Sequence, residues 1–69
     1  MNSDRKKLAD VVRQRRKALH LTQVELAILV NVGLRFIRDL EQGKPSLRMD
    51  KVNDVLKFFG MELIPSELE

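Results

Sequence analysis

Arg35 and Arg38 stand three residues apart in the run Leu34-Arg35-Phe36-Ile37-Arg38-Asp39-Leu40, which alternates charge and bulk at helical spacing. An arginine side chain is a planar fork of donors that meets O6 and N7 of guanine as a bidentate pair. Two such forks on one helix face therefore suit base edges in a DNA groove. Leu34 beside them suits a thymine methyl. Asp39 follows Arg35 by four residues. It either accepts from cytosine N4 or holds the Arg35 guanidinium in place, and the spacing favours holding. Upstream, Thr22 and Gln23 stand at a helix start, where free backbone amides and a side-chain amide suit a phosphate. Downstream, Lys44 and Arg48 lie where they could reach phosphates across the groove. Singly, Gln23 is an exposed helix start and Lys44 a solvated loop lysine; a reading helix between them ties the two together.

This is the chemistry of recognition and not of bond making. The chain has no Cys, no Tyr and a single His, and no glycine-rich phosphate loop. No catalytic group, metal site or cofactor is expected, and 69 residues leave little room for a substrate pocket. His20 has no Cys or carboxylate pattern beside it and falls where a helix should end, so it reads as a cap. With 33% charged and 43% hydrophobic residues the chain is not a disordered one. The net charge is +3, and seven of the 13 basic residues lie between Arg5 and Lys17, opposed only by Asp4 and Asp10. The last nine residues carry three Glu and no base. Such asymmetry suits a polyanion partner, although on charge alone a solvated helix face accounts for it equally well. No apolar run approaches the roughly 18 residues of a membrane span. Met1 to Lys7 lacks the apolar core of a signal peptide, and the absence of Cys fits a reducing cytoplasm, where an operator-bound form would sit on the nucleoid.

Four helices must place these groups. The first runs from about Asp4 to Leu19, with Ser3 as N-cap and Leu8, Val11, Val12 and Leu19 on one face. Thr22-Gln23-Val24-Glu25 spells a capping box, in which the Thr22 hydroxyl takes the Glu25 amide and the Glu25 carboxylate takes that of Thr22. A second helix therefore starts here and runs to about Val30. Asn31, a residue willing to adopt positive φ, makes the turn. The third helix starts near Gly33 and ends at Gln42. It turns Phe36, Ile37 and Leu40 inward and Leu34, Arg35, Arg38 and Asp39 outward, and Gly43 and Pro45 stop it. The fourth spans about Met49 to Phe59 on a stripe of Val52, Val55, Leu56 and Phe59, closed by Gly60. Met61-Glu62-Leu63-Ile64 alternates as a strand does, and Pro65 ends it. With no repeat, low-complexity tract or linker, residues 1–69 are expected to form one all-α domain with a short C-terminal β-strand.

The second and third helices are each too short to persist alone in water, and a turn of about three residues joins them. They form a helix-turn-helix over about residues 22–42. Packed on the first and fourth helices, the third keeps a free outer face, and the major groove, about 12 Å wide, accepts one helix. Leu21-Thr22-Gln23, Glu25-Leu26-Ala27, Ile37, Leu40-Glu41 and Gly43-Lys44 spell LTQ-x-ELA followed by I-x-x-LE-x-GK. On these residues the segment from Arg16 to Val55 resembles the Cro and lambda-repressor type of helix-turn-helix, the XRE family. The resemblance implies a four-helix Cro/repressor-like fold and a phosphate-binding Gln23. It also implies base-facing Gly33, Leu34, Arg35 and Asp39, and an ion pair between Arg16 and Glu41. Asn31 stands where that family has Gly, Gly33 where it has a Ser or Thr cap, and Met61–Ile64 in place of a fifth helix. The run from Gly33 to Leu63 resembles the HipB-like antitoxins, which implies a repressor of its own operon that binds a HipA-type kinase toxin.

Two alternatives remain at this level: a stand-alone phage-type or other XRE regulator, and a protein-interaction module. For the module, Val24, Ile28 and Leu29 are apolar where a solvent face would be polar. They form a sticky patch, or they pack on the first helix or a dimer mate. A dimer is expected on separate grounds. A four-residue strand needs partners for its amides and carbonyls, and nothing else in the chain reads as a strand. The simplest partner is the same strand of a second copy, antiparallel across a two-fold axis. Met61 and Leu63 then face Phe58 and Phe59, with Ile64 in the same interface. This homodimer would set two reading helices about 34 Å apart on a near-palindromic operator. The competing arrangement has a disordered tail and a dimer made by the fourth helix, or only on DNA.

Overall fold

A computed structural model of the chain describes residues 3–61, with side chains from Lys6 onward. The elements are α1 (Ser3–Ala18), α2 (Gln23–Val30), α3 (Leu34–Glu41) and α4 (Met49–Phe58). Among the described residues there is no strand. Of the expected strand only Met61 is described, and Leu63 and Ile64 lie outside the described residues.

All four helices end by the same device. The first residue after α2, and the second after α1, α3 and α4, takes a left-handed conformation, which turns the chain and satisfies the last carbonyls. His20 (φ 58°), Asn31 (φ 64°), Gly43 (φ 74°) and Gly60 (φ 77°) hold these positions. Each turn carries the same pair of backbone bonds. After α1, Leu21 N donates to Arg16 O at 3.1 Å and His20 N to Lys17 O at 2.9 Å. After α2, Val32 N donates to Ala27 O at 3.0 Å and Asn31 N to Ile28 O at 3.2 Å. Lys44 N to Asp39 O and Met61 N to Leu56 O repeat the wider bond after α3 and α4, at 3.1 and 2.8 Å. His20 and Asn31 thus do with a side chain what glycine does at the other two ends, at some conformational cost.

Each helix supplies the core. Val12 of α1, Leu26 of α2, Ile37 and Leu40 of α3 and Val52 and Val55 of α4 are fully buried, with Ala27 and Leu56 completing the cluster. Leu8, Leu21, Val30, Val32, Phe36, Leu47, Phe59 and Met61 pack around it half-buried. The expected stripe of α1 needs one correction. Leu19 is 54% exposed, and Ala9 is buried in its stead. The helix stops at Ala18, so the 3.6-residue period no longer carries Leu19 to the inner face. Contacts run chiefly from α3 to α1 and α2, and α2 touches α4. The short third helix is thereby held from two sides.

A chain this small has a total stability of roughly 3–10 kcal/mol, and truncating one fully buried leucine costs about 2–5 kcal/mol. Leu40→Ala is therefore expected to unfold most of the protein at 37 °C, as read by far-UV circular dichroism. Asn31→Gly is expected to raise the midpoint of thermal unfolding, since it relieves a left-handed residue of its Cβ at a gain of up to about 1 kcal/mol. A lowered midpoint would show that the Asn31 side chain holds the turn.

Candidate nucleic-acid interface

The site is built from the start of α2 inward. The Thr22 hydroxyl accepts the Glu25 amide at 3.0 Å, and the Glu25 carboxylate accepts the Thr22 amide at 2.8 Å, which is the capping box spelled by the sequence. With Glu25 so held, α2 begins at Gln23, whose side chain points to the junction of α1 and α3. There Gln23 Nε2 donates to Glu41 Oε1 at 3.1 Å.

Glu41 is the hub of that junction. Its side chain is 3% exposed and sits in the last turn of α3, the negative end of the helix dipole. Donors from two other elements compensate. Arg16 Nε donates to Oε2 at 2.7 Å and Arg16 Nη2 to Oε1 at 3.0 Å, a bidentate pair. Arg16 Nη1 also donates to the Leu21 carbonyl at 2.8 Å, tying the α1–α2 connection to the same point. The hydrogen bonds that Arg16 donates to Glu41 hold the guanidinium pKa above its ordinary value, against the opposing effect of burial. Arg13, one turn earlier, donates to the Glu41 backbone carbonyl and to Asp10. It satisfies a carbonyl at the end of α3 that has no partner within the helix. The sequence pattern misses Arg13; its one signal is that it shares a face of α1 with Ala9, Val12 and Arg16 and so must point at the neighbouring helices.

On the far side of α3, Arg35 and Arg38 are exposed, opposite the buried Ile37 and Leu40. Neither guanidinium has a hydrogen bond or ion pair among the described residues, and the same holds for exposed Lys44. Gly33 caps α3 with extended backbone (φ −71°, ψ 150°) and no side-chain bond, so the first amides of the helix stay open at the exposed end. Leu34 departs from the expected outward position. It is half-buried and packs on the core, because it falls three residues before Ile37 and so shares its face. Asp39 is half-buried and makes no bond to Arg35 among the described residues. With the cation preceding the acid, the pair has the weaker of the two orders on a helix. Asp39 is thus left as a free acceptor. Arg48 is engaged elsewhere: its guanidinium donates to Asp50 at 2.8 and 3.2 Å as it caps α4. That hydrogen bond holds the Asp50 carboxyl below its usual range. Both side chains are largely exposed, so the pair is easily opened.

The expected dimer residues are divided. Phe58 and Phe59 stack edge to face with centroids 5.2 Å apart, Phe58 exposed and Phe59 half-buried. They border an open recess of about 310 Å³ with Arg15, Ala18 and Leu19. Met61 folds back on the core. Val24, Ile28 and Leu29 are exposed. Among the described residues, no helix is long and apolar enough to cross a membrane.

Comparison with known proteins matches residues 12–64 to a family model described as helix-turn-helix. The chain is also similar to an uncharacterized HTH-type transcriptional regulator, y4mF, of Sinorhizobium fredii (strain NBRC 101917 / NGR234). The two are 49% identical over 53 residues, 77% of this chain and 70% of the other.

Removing one partner of a buried, bidentate ion pair strands the other charge at a cost of about 3–5 kcal/mol, whereas replacing both with apolar groups is far milder. Glu41→Ala is therefore expected to lower the melting temperature sharply, and the double variant Arg16→Met, Glu41→Leu to recover much of the loss. An unchanged melting temperature for Glu41→Ala would show that the junction contributes nothing.

Proposed function

The chain belongs to the helix-turn-helix family, of the XRE type, and on that premise we propose that it is a sequence-specific DNA-binding transcriptional repressor that reads its operator with α3. The observation that carries this reading is the outer face of α3, where Arg35 and Arg38 are exposed without partners while Ile37 and Leu40 fix the opposite face in the core. A guanidinium held out on a rigid, short helix is poised for guanine O6 and N7. Asp39 is free to accept from cytosine N4, and the Gly33 end leaves room for close approach to the bases. Gln23 and Thr22 on one side and Lys44 on the other meet phosphates. Arg48 joins them only by exchanging Asp50 for a phosphate oxygen.

The repressor works as a homodimer on a near-palindromic operator. Exposed Phe58 beside Leu19 supports a contact at the end of α4, and Met61, Leu63 and Ile64 extend it in the strand pairing expected from the sequence. The finer reading is that of a HipB-like antitoxin that represses its own operon and binds a HipA-type kinase toxin; the run from Gly33 to Leu63 supports it by resemblance. A protein-interaction module without specific DNA binding has one observation in its favour, the exposed Val24, Ile28 and Leu29 of α2, which are 49%, 72% and 56% accessible.

Footprinting on the DNA upstream of the chain's own gene separates these readings. A protected near-palindrome is expected, and a chain that protects no sequence is an interaction module. On that operator Arg35→Ala should cost about 1–3 kcal/mol and relax preference at one base pair. Lys44→Ala should weaken all duplexes alike and lower the salt slope by about one. Full operator discrimination in Arg35→Ala would remove α3 as the reader. Deleting residues 62–69 is expected to leave a monomer in sedimentation at micromolar concentration, and a truncated chain that stays dimeric would place the whole interface on α4.

A further inference from the structure

Gln23 and Glu41 lie 18 residues apart in sequence, one at the proposed phosphate-binding end of α2 and the other in the core junction, and a hydrogen bond joins them. We infer that Glu41 is a positioning residue for DNA: its carboxylate orients the Gln23 amide so that the free N–H of Nε2 is set for a backbone phosphate before DNA arrives. The inference rests on the phosphate role proposed above for Gln23 and deepens it.

A carboxylate accepts and cannot donate, so an amide facing it must turn its nitrogen inward. Gln23 Nε2, at 3.1 Å from Glu41 Oε1, spends one of its two hydrogens there. The second hydrogen is left over, on the only end of the amide that can donate to a phosphate. Glu41 itself cannot drift, because Arg16 grips both of its oxygens at 2.7 and 3.0 Å and 97% of its side chain is covered, as its 3% exposure records. The same Arg16 pair offsets the carboxylate's charge, so an approaching phosphate does not meet an uncompensated anion. A glutamine that must be ordered on binding loses rotamer freedom at that moment; here the loss is taken on folding. The Gln of the LTQ motif and the Glu of the LE-x-GK motif then form one device.

The test is a double-variant cycle on DNA affinity with the full chain, at a temperature where circular dichroism shows each variant folded. Gln23→Ala is expected to weaken operator and unrelated duplex alike by about tenfold or more, the worth of one hydrogen bond to a charged acceptor. Glu41→Gln should weaken both by a similar factor, because one amide oxygen cannot serve the three donors that meet the carboxylate. Added to Gln23→Ala, it should cause less than about a twofold further loss. If Glu41→Gln weakens binding as much with Ala at position 23 as with Gln there, Glu41 acts on the fold and the inference fails. It also fails if Glu41→Gln leaves affinity untouched while Gln23→Ala lowers it. Wild-type affinity in Gln23→Ala removes the phosphate contact itself; Arg35→Ala then reports separately whether α3 still reads the operator. Because Glu41→Gln could unfold the chain, the Gln23 side-chain ¹⁵N–¹H heteronuclear NOE in the free native protein gives a second reading. A value near that of the α2 backbone is expected, and a freely mobile amide overturns the inference.

Discussion

Covered on all sides, the Glu41 carboxylate needs donors for its oxygens, because an unpaired buried charge costs several kcal/mol. Meeting that requirement fixes the geometry of three helices at once. Arg16 must bring α1 alongside, Gln23 must bring the start of α2, and α3 must end where its last side chain reaches both. Arg16 then carries the constraint outward by holding the Leu21 carbonyl, and Arg13 does so by capping the Glu41 carbonyl. Apolar burial alone tolerates sliding between helices; a bidentate pair with a third donor does not, since each bond has a preferred distance and direction. A polar junction of this kind specifies an arrangement that a small core could hold only loosely.

The helices themselves are short, with eight residues in α2 and in α3, below the length at which a helix survives alone in water. Their persistence depends on ends and packing. The capping box starts α2, and the left-handed residues His20, Asn31, Gly43 and Gly60 turn the chain at each C-terminus while consuming its free carbonyls. With orphan groups met at the ends, the six fully buried side chains drawn from all four helices suffice to hold the elements together.

Arginines divide by partner. Arg13 and Arg16 face inward and are spent on Glu41 and Asp10, and Arg48 is held by Asp50. Arg35 and Arg38 have no partner among the described residues, and they project from the face of α3 opposite Leu40 and Ile37. The division follows from helical periodicity: Arg16, four residues after Val12, looks into the molecule, and Arg38, next to Ile37 on α3, looks out of it. Charge that would be indistinguishable in a composition table is structural on one helix and available to a polyanion on the other.

Local rules determined a large part of this protein from the sequence alone. The capping box at Thr22 and Glu25, the turn at Asn31, the stops at Gly43 and Gly60 and the apolar stripes of α3 and α4 each depend on residues within a few positions of one another, so spacing suffices to read them. The outward position of Arg35 and Arg38 follows from the same period. The half-burial of Leu34 is not legible in the same way, because its spacing to Ile37 competes with its neighbourhood to Arg35, and only packing shows which prevails. The pairing of Asp39 with Arg35 failed for the same reason: i, i+4 spacing permits contact, but side-chain direction and burial decide it. Arg16 and Glu41 came from a family resemblance, since 25 residues separate them and no local rule connects them. Arg13 on the Glu41 carbonyl and Gln23 on the Glu41 carboxylate were decided by the tertiary structure alone, because they exist only once three helices meet around a single buried charge.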